Sequence, residues 1–127
     1  MSSTFLGPIA GRILICGGRN WTDYGCVLRE LRARSSRFHT VIHGACRGAD
    51  VLGGRAAAEC GLAIREFPAD WQRYGRKAGF IRNTQMLHQG RPSFVLAFHG
   101  HIDQSAGTRM MIDIALDADI RVRLIEH

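Results

Sequence analysis

Lysine is almost absent from this chain: Lys77 is the only one in 127 residues, against sixteen arginines. The four cysteines, Cys16, Cys26, Cys46 and Cys60, never fall into CxxC spacing, which excludes a zinc ribbon or a dithiol redox motif. They read as reduced thiols, mostly buried. No apolar run approaches the ~18 residues that span a bilayer, so no membrane is expected. The opening MSSTFLGPIAGR lacks a basic start followed by an apolar stretch. It is therefore not a secretory signal, and a cytoplasmic location is expected. GxGxxG and Walker A patterns are both missing, and Ser105 lacks the context of a nucleophile elbow. Linkers, repeats and low-complexity segments are missing too.

What remains is the composition of one globular domain. Hydrophobic residues make up 46% and charged residues 22%, which excludes disorder, collagen and a coiled coil over the whole chain. The net charge of +6 suits anionic partners. Arginine offers a planar fork for phosphate, but a GC-rich genome also enriches it, so its placement decides.

Two periodicities alternate along the chain. Arg12 to Cys16 is a short apolar run closed by Gly17-Gly18, as in a buried strand. Further strands are expected at Thr40–His43, Ala63–Phe67, Phe94–Phe98 and Arg121–Ile125. Helices are expected from an Asp23 cap to about Arg34, from Asp50 to Cys60, from Ala78 to His88, and from Gly107 to about Leu116. Strand–helix alternation of this kind implies parallel βαβ units with right-handed crossovers. The expected fold is α/β, a Rossmann-like three-layer domain over residues 12–127 with a five-stranded parallel sheet in the order 3-2-1-4-5. Residues 1–11 are expected to form a flexible arm.

Glycines and polar groups gather after the strands, at their carboxyl ends. In an open α/β sheet, ligands bind there, at the point where strand order reverses, here between the first and fourth strands. Gly17-Gly18-Arg19 brings backbone N–H groups close to an anion, or is simply a tight turn. Gly44-Ala45-Cys46-Arg47-Gly48-Ala49-Asp50 is a second such loop. Arg47 offers a phosphate clamp, and Asp50 either a helix cap or a ribose acceptor. Trp71 either stacks on a base or packs on the core. Lys77 follows in a basic segment, and Arg82-Asn83 sits in the early turns of a helix. Gly100 and then Gly107-Thr108 offer phosphate contacts at another helix start. His99, His101 and Asp103 lack a third convincing ligand with metal geometry, so no metal is expected.

In order, these segments resemble a known family. Gly17-Gly18-Arg19-Asn20-Trp21-Thr22-Asp23 resembles the GGR-D/N-W/F-x-D opening of the small bacterial and phage proteins of the DUF2493, or YspA-like, family. His43 to Asp50 resembles its HGxxxGAD loop. Phe67 to Trp71, Gly75 to Gly79, and Ile81 to Met86 resemble its PADW, GxxAG and RNxxM elements. Phe98-His99-Gly100 and Gly107-Thr108 resemble its FxGGxGT region. The resemblance runs from Leu14 to about Ile125. It implies membership of the SLOG superfamily, Rossmann-like domains related to LOG proteins and to DNA-processing protein A, with a pocket for a nucleotide-derived ligand such as an ADP-ribose-like molecule. LOG phosphoribohydrolases carry PGGxGTxxE; here Met111 stands where that motif has Glu.

The first reading is a sensor or sequestering module that binds a phosphorylated nucleoside and requires no cofactor. Its contacts come from Gly17, Gly18, Arg19, Trp21, Gly44, Arg47, Gly48, Asp50, Asp70, Trp71, Lys77, Arg82, Asn83, Gly100, Gly107 and Thr108. Two alternatives stay open. One is an N-glycosidic hydrolase with Asp70 as its catalytic carboxylate. The other is a DNA- or RNA-binding protein using Arg29, Arg32, Arg34 and Arg37. Phe80, Met86, Leu87, Met110 and Met111 suggest an apolar face for a homodimer or tetramer.

Overall fold

The computed structural model describes residues 4–126. Five parallel strands, β1 (Arg12–Gly17), β2 (Thr40–His43), β3 (Ala63–Glu66), β4 (Phe94–Phe98) and β5 (Arg121–Ile125), form one sheet in the order 3-2-1-4-5. Helices α1 (Tyr24–Arg32), α2 (Ala49–Glu59), α3 (Trp71–Tyr74), α4 (Ala78–Gln85) and α5 (Ala106–Asp117) connect them. The expected α/β fold and strand order are those observed.

The central strands are apolar on both faces because helices cover both. Alternation divides them into two cores. Ile13, Ile15, Val41, Leu96 and Phe98 pack with Val27 and Leu31 of α1 and Ala56 and Ala57 of α2. Leu14, Cys16, Ile42, Val95 and Ala97 pack with Met86, Leu87, and Met111 and Ala115 of α5. Gly53 brings α2 close to β1, since a Cβ there would lie 2.7 Å from Ile15 Cγ2. Asp23 caps α1 as expected, its carboxylate accepting from Cys26 N at 3.0 Å. Past α4 the helix widens into a π turn over Met86–Gly90 and ends at Arg91, which adopts φ 50°.

Part of the segment expected as a flexible arm contacts the rest of the chain. Arg91 donates to the carbonyls of Gly7 (2.8 Å) and Leu6 (3.2 Å), and Ile9 N donates to Arg91 O. Phe5 meets His88 edge-on. Residues 1–3 of that arm, and His127 at the end of the expected domain, lie outside the described residues. Among the described residues no helix is long and apolar enough to cross a membrane.

Candidate functional site

A crevice of about 420 Å³ opens beyond the carboxyl ends of β1 and β4. That is a size suited to a small molecule. Its walls come from the loops after β1, β2 and β4, from α3 and α4, and from the first turn of α5.

The loops are stitched together by backbone. Gly18 N donates to Phe98 O at 2.9 Å, and Ala49 N donates to Gly18 O at 3.1 Å. Gly17 (φ 153°) and Gly48 (φ 82°) hold conformations that L side chains rarely adopt. A Cβ on Gly17 would collide with the Phe98 carbonyl, and one on Gly48 with the Gly18 carbonyl. These two glycines are required by close backbone approach as well as by φ.

Beneath the loops lie two buried charges. Arg82 is 8% exposed and Asp50 5%. The Arg82 guanidinium donates to the carbonyls of Gly44 and Phe67, through Nε to Asn83 Oδ1 at 3.0 Å, and to Cys46 Sγ at 3.5 Å. Asp50 Oδ2 accepts from Gly44 N (3.1 Å) and Cys46 N (3.3 Å). The pair thus grips the Gly44–Cys46 loop from both sides. Burial pushes the Asp50 carboxyl up to about 6, against the pull of the Cys46 amide, Arg82, the Gly44 amide and Arg19. Burial, then Asp50, also pushes the Cys16 thiol far up, so that thiol is inert.

The first turn of α5 faces the crevice with Ser105, Ala106, Gly107 and Thr108. Ser105 caps the helix, its hydroxyl accepting from Thr108 N at 3.3 Å. Asn83 Nδ2 donates to Gly107 O at 3.1 Å and fixes this turn to α4. At the mouth stand two large aromatics, Trp71 (48% exposed) and Phe80 (44%). The Arg19 guanidinium lies 6.0 Å from the Trp71 ring centre. A second chamber, also about 420 Å³, shares Gly18, Arg19, His99 and Gln104 with the first. Burial and neighbouring His101 push His99 below the usual histidine range. Its Nδ1 accepts from His101 N at 2.8 Å, so in the neutral ring the proton sits on Nε2, over Gly18. Among the described residues no cluster of histidine, cysteine or carboxylate could hold a metal.

The family model for YspA and cpYpsA-related SLOG proteins matches residues 11–74, which contain β1, β2, β3 and both glycine loops. The chain belongs to the YspA and cpYpsA-related SLOG family. It is also 36% identical over 121 residues to the gene 61 protein of Mycobacterium phage D29, covering 87% of this chain and 93% of that protein. No solved structure matches.

In this SLOG domain the crevice gathers nine of the residues expected at a ligand site: Gly17, Gly18, Arg19, Asp50, Trp71, Arg82, Asn83, Gly107 and Thr108. Others stand elsewhere. Trp21, expected at the ligand, is a core residue packed 5.4 Å from Phe98, centroid to centroid, although its edge and Gly100 border the second chamber. Gly44 lies behind Arg82, and Gly48 under Gly18. Arg47 and Lys77 are exposed and do not line the crevice. Asp70, expected as a pocket carboxylate, caps α3 instead, accepting from Arg73 N at 3.1 Å. Asp satisfies the open amides of a helix start, which explains that position. Asp50 also resolves: it binds loop amides rather than standing free. Met86, Leu87 and Met111, expected on an apolar oligomer face, are buried in the core under the sheet, and Met86 and Met111 also line the crevice.

Sequence reasoning missed Arg76, Phe80, His99, Gln104 and Ser105 as crevice residues. Phe80 carried a signal, an apolar residue three positions before the buried Asn83, but that spacing reads equally as core.

Proposed function

We propose that the crevice binds a phosphorylated nucleoside, with its phosphate at the α5 N-terminus and its base at the aromatic mouth. The observation that carries this reading is the convergence of three elements on one cavity: the glycine loop after β1, the first turn of α5, and the paired aromatics Trp71 and Phe80. Backbone amides and a helix dipole favour an anion. Trp71 and Phe80 offer flat faces to a base, and stacking of this kind contributes about 1–3 kcal/mol. Arg19 and Arg76 add mobile positive charge at the rim. Arg82 acts differently: its donors are engaged by Gly44, Phe67 and Asn83, so it supplies field and loop rigidity rather than a free clamp.

The contiguous second chamber supports a ligand longer than a mononucleotide, of the ADP-ribose type, crossing Gly18 between the two. Binding is favoured over N-glycosidic hydrolysis by the carboxylates. Among the described residues one carboxylate lines the crevice, Asp50, whose Oδ2 is occupied by two amides, and one lines the second chamber, Asp23, which caps α1. These features support reading the domain as a sensor or sequestering module.

Thermal unfolding of the protein with adenosine, AMP, ADP-ribose and inorganic phosphate tests this. A ligand at 100 times its Kd stabilises the fold by about 2.7 kcal/mol. AMP or ADP-ribose is expected to raise Tm in the wild type and less so in Trp71→Ala. No shift with any phosphorylated nucleoside at millimolar concentration would overturn the proposal.

A further inference from the structure

A second basic region, sharing no residue with the crevice, lies on the face of β5 opposite α5. In a parallel sheet a strand covered on both faces is apolar on both. On β5, Val122 and Leu124 pack toward the α5 core, while Arg121 and Arg123 project to the opposite face beside Phe94 and Leu96. Arg34 and Arg37, both from the turn after α1, complete a groove of about 490 Å³ with them. Its lining contains four arginines and no carboxylate. Glu30 reaches its edge and pairs with Arg34 (3.1 Å) and Arg123 (3.4 Å). The local sum is therefore 4 − 1 = +3. Asp117, the last residue of α5, and Asp119, on the turn before β5, form no ion pair with these arginines among the described residues.

Edge strands often carry charge that blocks unwanted pairing. The other edge, β3, does this with a balanced Arg65 and Glu66. The β5 edge is different, because its outward charges have one sign and are joined by two more arginines from another element. We propose that this groove binds the phosphate backbone of double-stranded DNA without reading its sequence. Arg121 and Arg123 are two residues apart on one strand face, hence about 7 Å apart at their Cα atoms. They present guanidinium forks suited to phosphate oxygens. The groove offers no exposed aromatic platform for single-strand bases: Phe94 lies under the Arg34 guanidinium, 5.4 Å from it. It also offers no hydroxyl, amide or carboxylate to recognise a 2′-hydroxyl.

The test is fluorescence anisotropy of a labelled 24-base-pair DNA duplex of arbitrary sequence with the full chain. Two groove arginines without an ion pair among the described residues, Arg37 and Arg121, predict a log–log salt slope of about −1.8, hence about 12-fold weaker binding at 200 mM than at 50 mM salt. Arg121→Glu with Arg123→Glu is expected to weaken binding at least 10-fold at 50 mM and flatten the slope. The control is Arg73→Glu with Arg109→Glu, an equal charge change on exposed residues outside the groove. It is expected to lose far less. Circular dichroism and Tm establish that both variants are folded, and Arg121→Gln with Arg123→Gln repeats the measurement if the reversed pair is not. Absence of duplex binding at 50 mM, equal losses in groove and control variants, or binding to anionic vesicles without binding to the duplex would each overturn the proposal.

Discussion

The carboxyl ends of the strands and the outer face of β5 both concentrate positive charge, but they hold it by different means. In the crevice, charge is built into the fold: glycine loops, a helix start, and a guanidinium locked by carbonyl oxygens. On β5 it rides on arginine side chains, two of which make no ion pair among the described residues. Fixed dipoles in a concave, partly dry site act on a small ligand and resist screening by salt. Mobile surface charges act on an extended polyanion and fade as salt rises. The comparison predicts that mutations in the crevice split between stability and binding, whereas mutations on β5 leave stability nearly unchanged.

The largest effect is expected at the fixed charge. Arg82→Ala removes the donors to two buried carbonyls and the stronger of the two cations that act on Asp50. Loss of one partner from a buried charged network costs about 3–5 kcal/mol. Urea unfolding is expected to show that loss. A loss below about 1 kcal/mol would mean that the network is open to water, and the contrast with β5 would collapse.

Asp50 sharpens the same point through pH. Its folded pKa is raised from 3.8 to about 6, so the folded chain holds that proton more tightly than the unfolded chain. The stability linked to it is fully present below about pH 4 and is lost as pH rises through 6. The span corresponds to something on the order of 3 kcal/mol. His43 works in the opposite sense. Burial lowers its pKa, so its contribution is present above the ordinary histidine value and lost as pH falls. Subtracting the stability–pH curve of Asp50→Asn from that of the wild type removes the histidine contribution. The difference is expected to fall between pH 4 and 6; a flat difference would show the carboxylate to be well solvated.

These buried charges also mark where the sequence stopped being readable. The strands were legible because runs such as Ile13–Cys16 and Val95–Phe98 are buried on both faces, and glycines close several of them. The crevice was legible because strand order places the reversal at β1 and β4. The role of Arg82 was not, because its partners Gly44 and Phe67 lie 38 and 15 residues away. The tertiary fold alone decides whether such an arginine is a solvated surface group or a buried strut. The core packing of Trp21 was illegible for a related reason: a tryptophan between a glycine loop and a capped helix has no periodicity to reveal which way it turns. α3 is a single turn of four residues, too short to leave a pattern.

A moderate effect is expected at Arg19. It is exposed, holds its guanidinium 6.0 Å from the Trp71 ring centre and borders both chambers. Arg19→Ala is expected to leave Tm without ligand within a degree or two of wild type and to weaken AMP or ADP-ribose binding about tenfold, the size of one charge-assisted contact. Calorimetric titration at two salt concentrations checks it. A large fall in Tm would instead place Arg19 with Arg82 among the structural charges.

The smallest effect is expected at Asp70, and it separates binding from hydrolysis. Asp70 is exposed, caps α3 and does not line the crevice. Asparagine is as good an N-cap as aspartate, so Asp70→Asn keeps the turn and removes only the charge. Stability and ligand affinity are both expected to stay within about 0.5 kcal/mol of wild type, as for a surface change away from any special feature. A catalytic carboxylate behaves otherwise: its loss leaves affinity in place while turnover of a nucleoside monophosphate disappears. Incubating wild type and variant with AMP and ADP-ribose, and following free adenine, distinguishes the two. Adenine released by the wild type and not by Asp70→Asn would require α3 to swing its cap into the crevice, and the site would then have to be read as an enzyme's.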